Sequence, residues 1–364
     1  MNANTRKLQA LGQSLWLDNI TRQMLDDGTL ARYIGELAIT GLTSNPTIFE
    51  HAIGKGDAYD EQIATLARTR RSGEDIFIQL ALRDLTRAAD LFKPAHDASG
   101  GVDGWVSLEV SPLLVDDAEA SIRSVARLHA AAARPNLYIK IPGTKAGVKA
   151  IEESIFAGVP INVTLLFSRE QYVVAAEAYL RGIERRLAAG RDPKVESVAS
   201  LFVSRWDVAV KDRVLADQRN HLGIAIARRT YKAYRELLGS ARWRKLAAAG
   251  AHPQRLLWAS TGTKDPAAPD TLYIEALAAP DTIDTIPDKT LEAFAEHGNV
   301  GAPMALDGGD AETVIAEFRA LGIDDGALAD QLQREGAAAF VKSWKSLLDG
   351  IADKTSQLSG AASR

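Results

Sequence analysis

Cysteine is absent from all 364 residues, which excludes disulfides, a thiolate nucleophile and cysteine-ligated metal or iron–sulfur centres. Charge of one sign is lacking too: 43 Lys and Arg face 47 Asp and Glu, for a net charge of -4. No general affinity for nucleic acid or an anionic membrane is expected from such a balance, and any anion recognition falls to local residues. Long apolar runs are missing; no stretch approaches the ~18 residues of a membrane span, and MNANTRKLQALGQSLWLDNI has no apolar core of a signal peptide. A soluble, cytoplasmic protein is therefore expected. No Pro/Ser/Gly-rich linker and no repeat beyond strand–helix alternation interrupts the chain, so residues 1–364 are expected to form a single domain. What remains is a globular composition, 46% hydrophobic and 25% charged, able to bury a sizeable core.

Short β-rich runs recur with helical stretches between them, the pattern of a parallel α/β protein. They are Ser14–Ile20, Ala38–Thr43, Val106–Ser111, Tyr138–Pro142, Ile161–Phe167, Ser197–Arg205, Leu256–Thr261 and Thr282–Ile286. Eight runs predict a (β/α)8 TIM barrel with additional helices. The clearest helix is Ser168–Ala189, with Tyr172, Ala176, Tyr179, Leu180, Ile183 and Leu187 on one face, a capping-box pattern at Ser168 and Gln171, and Gly190 beyond its end. Thr144–Ala157 and Asp116–Ala133 follow the same logic. Pro46 to Gly104 must hold more than one helix, and Trp206 to Arg255 carries a basic helical stretch around Gly223–Leu238. Ala95–Gly104 and Asp265–Pro269 read as surface loops. The tail forms a C-terminal helical extension over about 310–352, expected on the outside or rim of the barrel.

One residue sits oddly in this pattern. Lys140 lies inside Tyr138-Ile-Lys-Ile-Pro142, about two residues before a strand breaks at Pro142-Gly143. An ammonium on a strand covered on both faces must reach a polar pocket, pair with a carboxylate or bear a desolvation cost. In a parallel barrel the pocket lies at the carboxyl ends of the strands, and nearly every run supplies a polar residue there: Asp18, Asn45, Glu109, Lys140, Asn162 and Thr164. Alternation puts Ser107, Glu109 and Ser111 on one face of their strand, and Asn162 and Thr164 on one face of theirs. Each has a plain structural reading as well. Asn45-Pro46 is a good helix start, Asp18 suits a cap, and Glu109 with Lys140 can be a buried ion pair. Taken together, a lysine among two acids and an amide on one rim suggests Schiff-base chemistry with a carbonyl substrate, since burial disfavours an ammonium and favours the free amine that attacks.

The motifs Gly41-Leu-Thr-Ser-Asn45-Pro-Thr-Ile-Phe49, Val106-Ser-Leu-Glu109-Val110, Tyr138-Ile-Lys140-Ile-Pro142, Ile161-Asn-Val-Thr-Leu-Leu-Phe-Ser168 and Ala199-Ser-Leu-Phe-Val-Ser-Arg205 resemble, in order, those of the transaldolases. The resemblance spans Asp18 to about Lys264. It implies class I aldolase chemistry without cofactor or metal: a dihydroxyacetone unit passes from sedoheptulose 7-phosphate to glyceraldehyde 3-phosphate, giving erythrose 4-phosphate and fructose 6-phosphate. By residue match, Lys140 would form the Schiff base, and Asp18 would take the C4 hydroxyl proton. Glu109 and Thr164 would hold the proton-shuttling water, while Asn45 and Asn162 would bind the dihydroxyacetone hydroxyls. For the phosphate the match offers Ser200, Arg205, Ser260 and Lys264, the lysine standing where the family commonly has an arginine. Five residues separate Ser200 from Arg205, so Arg205 must lie past the strand end unless a bulge intervenes. Ser204 stands where many relatives have glycine. Sugar phosphates are thus the expected partners, with a homodimer a candidate assembly.

Three other readings compete. A fructose-6-phosphate aldolase would use the same lysine and release free dihydroxyacetone. A metal-dependent enzyme would need His or carboxylate ligands at strand ends, and His51, His96, His129, His221, His252 and His297 show no such placement. A non-catalytic sugar-phosphate binder would have no use for Asp18, Glu109, Lys140 and Thr164 together.

Overall fold

The computed structural model describes residues 2–69 and 71–361. Eight parallel strands close into a barrel in chain order: β1 Ser14–Leu17, β2 Ile39–Leu42, β3 Trp105–Glu109, β4 Leu137–Pro142, β5 Ile161–Leu166, β6 Ser197–Phe202, β7 Gln254–Ala259 and β8 Thr282–Ile286. The (β/α)8 TIM barrel expected from the strand count is the architecture found. Outward positions such as Ile139, Val163, Leu201 and Trp258 pack with the surrounding helices in one apolar cluster.

Some boundaries differ from the reading of the sequence. β1 stops at Leu17 and not Ile20. β6 stops at Phe202 and not Arg205, because a helix starts at Ser204 and carries Arg205 off the strand. Ala95–Gly104 is not a loop throughout; a helix runs over Gly73–Ala98 with Pro94 inside it. Pro46 to Gly104 holds three helices, Pro46–Gly54, Asp60–Ala67 and Gly73–Ala98. The helix at Arg169–Ala188 is capped by the Ser168 hydroxyl, which accepts from the Gln171 amide, while the Gln171 side chain accepts from Phe167.

The lower interior is filled by aromatic rings. Trp105 stacks on Tyr138 with centroids 4.1 Å apart, and Trp16 lies 6.1 Å from Tyr138. Gly41 on β2 is required there: a Cβ would fall 2.7 Å from the Trp105 carbonyl oxygen and from the Trp16 ring. The tail folds into helices Ala311–Ala320 and Asp325–Ala361. The second does more than cover the outside, since it lays Phe340 over the open carboxyl end of the barrel beside Lys140. No helix among the described residues is long and apolar enough to cross a membrane.

Candidate active site

Strand register builds the centre of the site. Glu109 on β3 pairs with Lys140 on β4, which pairs with Asn162 on β5, so three adjacent strands present one polar row to the interior. One step higher, Thr164 pairs with Pro142. Lys140 is 4% exposed and Glu109 6%. The ammonium lies 3.4 Å from Glu109 Oε2 and donates to the Ser44 carbonyl at 3.2 Å. At 3.4 Å the carboxylate contact is an ion pair and not a well-made hydrogen bond. Among the described residues neither Glu109 oxygen has a hydrogen-bond partner, and neither does Thr164 Oγ1. Such buried orphans are costly and concentrate where structure serves chemistry. Burial pushes the Glu109 carboxyl above its usual range, with Lys140 pulling the other way and Asp18 adding to the rise.

Asp18 follows the last residue of β1 and donates its amide to the Ile286 carbonyl at 2.8 Å. Its Oδ1 accepts from Thr43 Oγ1 at 2.9 Å, and Thr43 lies 2.7 Å from Thr285 Oγ1. Since the Thr43 proton goes to Asp18, Thr285 is the donor in the second bond. Burial raises the Asp18 carboxyl above the ordinary carboxylate range, against the pull of Lys140, Thr43 and Lys264. A carboxyl held there by desolvation is suited to carry a proton in mid-reaction.

A cavity of about 300 Å³ opens over these groups and is lined by Asp18, Asn45, Lys140, Ser200, Arg205, Ser260 and Lys264 from the sequence-predicted set. Glu109, Asn162 and Thr164 lie beneath its surface. Asn162, fully buried, donates to Ser107 Oγ at 3.1 Å and accepts from Ser200 Oγ at 2.8 Å, so it steadies Ser200 from below. Asn45 caps the helix Pro46–Gly54, its Oδ1 accepting from the Ile48 amide at 3.0 Å, and it also faces the cavity. The helix-start reading and the pocket reading both hold for this residue.

Arg205 stands at the cavity wall from the first turn of the helix Ser204–Val210, its guanidinium 5.5 Å from the Phe202 ring. Lys264 reaches the same cavity from an exposed loop. Among the described residues neither is held in a hydrogen bond or a close ion pair, so both cations remain for an anion. Ser260 between them has φ 57, a left-handed conformation that serine rarely takes, and Ser204 Oγ sits 2.9 Å from its hydroxyl. The serine at 204 thus has a role in positioning Ser260.

Sequence reasoning missed several lining residues. Thr43 and Thr285 line the cavity as well, and both fall within β-rich runs of the sequence. His51 also lines the cavity, from the helix after β2 and not from a strand end. Phe340 carried no signal, being one of many apolar positions on a long helix. Among the described residues no three His, Asp or Glu side chains converge as a metal site.

A parallel barrel that buries a lysine beside a carboxylate at the carboxyl ends of its strands, under a pocket bearing two free cations, belongs to the class of sugar-phosphate aldolases in architecture. The model of the transaldolase/fructose-6-phosphate aldolase family matches residues 15–351, and the chain belongs to that enzyme family. Similar full-length proteins include the transaldolases of Parafrankia sp. (strain EAN1pec), 44% identical across 98% of both chains, and of Renibacterium salmoninarum, 43% identical across 97% of both. The transaldolase of Thermobifida fusca is 43% identical over 97% of this chain and 99% of its own.

Proposed function

We propose that this chain is a cytoplasmic transaldolase, moving a dihydroxyacetone unit from sedoheptulose 7-phosphate to glyceraldehyde 3-phosphate through a Schiff base on Lys140. The observation that carries the reading is the Glu109–Lys140–Asn162 row beneath a cavity that Asp18 also lines. The Lys140 amine adds to the ketose C2 carbonyl, and the carbinolamine loses water to give the iminium. Glu109 and Thr164, whose side-chain oxygens have no hydrogen-bond partner among the described residues, position the water that carries protons through these steps. Asp18 accepts the C4 hydroxyl proton as the C3–C4 bond breaks, and its raised affinity for a proton favours this transfer. The aldose phosphate departs and leaves the enamine on Lys140. Carbon 3 of that enamine then attacks the aldehyde of the acceptor, whose oxygen takes the proton back from Asp18, and water adds to C2 of the resulting iminium to free the new ketose and Lys140. Asn45 and Asn162 hold the dihydroxyacetone hydroxyls, while Ser200, Arg205, Ser260 and Lys264 hold the phosphate.

The alternative within the family is an aldolase that releases dihydroxyacetone. Fructose 6-phosphate supplied with erythrose 4-phosphate should yield sedoheptulose 7-phosphate, with little free dihydroxyacetone when the acceptor is omitted. Rapid release of dihydroxyacetone in its absence would make the chain an aldolase.

A further inference from the structure

The C-terminal helix Asp325–Ala361 meets the barrel mouth along one stripe, Gln333, Gly336, Phe340 and Ser343, spaced as residues on a single helical face. Gln333 donates its side-chain amide to the Leu165 carbonyl at 2.9 Å and to the Gly143 carbonyl at 3.2 Å. Leu165 has φ 58 at a register irregularity in β5, immediately after Thr164, and Gly143 is the first residue past β4. Gln333 thus ties together the ends of the two strands that carry Thr164 and Lys140. Gly336 permits the approach: a Cβ there would lie 2.9 Å from the Leu165 side chain. Phe340, 5% exposed, lines the cavity with its ring centroid 6.0 Å from Lys140 Nζ. Thr47 and Ser343 join the stripe to the helix after β2 at 2.8 Å.

Both ends of the helix are fastened. Asp325 receives Arg229 at 2.7 Å and Arg319 at 2.5 Å, and Lys354 reaches Asp60 at 2.5 Å. The phenyl ring is therefore set over the lysine as a fixed wall, and the wall is apolar where the bound intermediate waits.

We propose that Phe340, positioned by Gln333, determines the fate of the intermediate by keeping solvent from the enamine carbon C3, so that the three-carbon unit is transferred and not released. The proposal rests on Lys140 forming the Schiff base. Two routes lead from the enamine. In transfer, C3 forms a bond to the acceptor carbon, the acceptor oxygen is protonated, and water adds to C2 of the resulting iminium to free the new ketose and Lys140. In release, C3 takes a proton from solvent, water adds to C2 of the resulting iminium, and the C2–N bond breaks to free dihydroxyacetone and Lys140. Both routes end in the same hydrolysis and differ at C3, so an apolar ring over the enamine disfavours only the route in which C3 takes its proton from solvent, while proton transfer at Asp18 is left alone.

The test compares the rate of dihydroxyacetone release from fructose 6-phosphate without acceptor to the rate of transfer with erythrose 4-phosphate, in wild type, Phe340→Ala, Phe340→Leu and Gln333→Leu. Phe340→Ala should raise the ratio of release to transfer about tenfold, and Phe340→Leu, which restores apolar bulk, should bring it back most of the way. Gln333→Leu, which removes the two carbonyl contacts and touches no substrate, should raise the ratio by a smaller factor with KM for fructose 6-phosphate little changed. Borohydride trapping in the same four proteins separates the premises. Adducts on Lys140 throughout with an unchanged ratio would overturn the role of the helix, whereas no Lys140 adduct in wild type would overturn the mechanism beneath it. A ratio that rises equally in Phe340→Ala and Phe340→Leu would also contradict the proposal, since loss of apolar bulk would not be the cause.

Discussion

The two ends of the barrel interior use the same strands and hold their charged groups differently. At the amino end Asp103 receives hydrogen bonds from Ser14, from Trp16 at 2.8 Å and from Thr40 at 2.8 Å. Arg255 there donates to Ser14 Oγ, the Thr282 carbonyl and the Val102 carbonyl, and the stacked rings of Trp105 and Tyr138 close the floor. At the carboxyl end, among the described residues, Glu109 has only a 3.4 Å ion pair, Thr164 Oγ1 has no hydrogen-bond partner, and Ser260 is held in a left-handed conformation. A charged group with a full set of partners lowers the energy of the fold, and one left short of them is retained where a substrate or a water completes it. Under the proposed function the floor holds the barrel shut and the mouth does the chemistry.

If that division is right, substitutions at the two ends should separate activity from stability. The largest effect is expected from Lys140→Ala, with kcat/KM falling at least about 10⁴-fold while thermal melting shows a folded protein, because the nucleophile is lost and no packing depends on it alone. Trp105→Ala at the floor should do the reverse. It removes a fully packed ring and should cost about 3–5 kcal/mol in stability, measured by urea unfolding, with the specific activity of the folded fraction close to wild type. A floor variant that lost activity without losing stability would break the comparison.

Asp18→Asn should lower kcat by about 10²–10⁴-fold and still allow a borohydride-trapped adduct, since it blocks the proton transfer of C–C cleavage and not the attack of the amine. Equal loss of trapping and turnover would remove Asp18 from that role. The smallest effect concerns Asp284 on β8, fully buried, its carboxyl pushed up to about 7, chiefly by burial and against the pull of Thr261. An acid whose folded pKa is raised stays neutral in the fold and ionises first when unfolded. Its presence therefore costs stability as pH rises from about 4 to 7, and the cost is complete above 7. Asp284→Asn should match wild type at pH 4 and exceed it by on the order of 1–3 kcal/mol at pH 8, read from denaturation curves at the two pH values. An equal difference at both would mean that Asp284 does not titrate in this way.

The barrel was legible in the sequence because β-branched and aromatic runs recur at strand length, and period-two alternation pointed Glu109 and Asn162 inward before any coordinates did. Lys140 was legible for the same reason, as a charge where the pattern calls for an apolar residue. Arg205 was taken as the end of the sixth run, with either a place past the strand or a bulge left open; the helix that takes it off the strand begins at Ser204, and one polar residue after Val203 does not announce a helix. The bulge at Leu165 was hidden, since leucine gives no sign of a left-handed conformation and the carbonyl it frees is satisfied from residue 333. Phe340 was hidden more deeply. Its place over Lys140 depends on how a helix 200 residues away docks, and spacing along that helix identifies a face without saying what the face meets.

The site's central claim is that Lys140 is the nucleophile, and trapping tests it most directly. The protein is incubated with fructose 6-phosphate, reduced with borohydride, digested and mapped by mass spectrometry. A single stable three-carbon adduct on Lys140, absent from Lys140→Ala, is the predicted result. An adduct on another lysine, or none in an active enzyme, would contradict it.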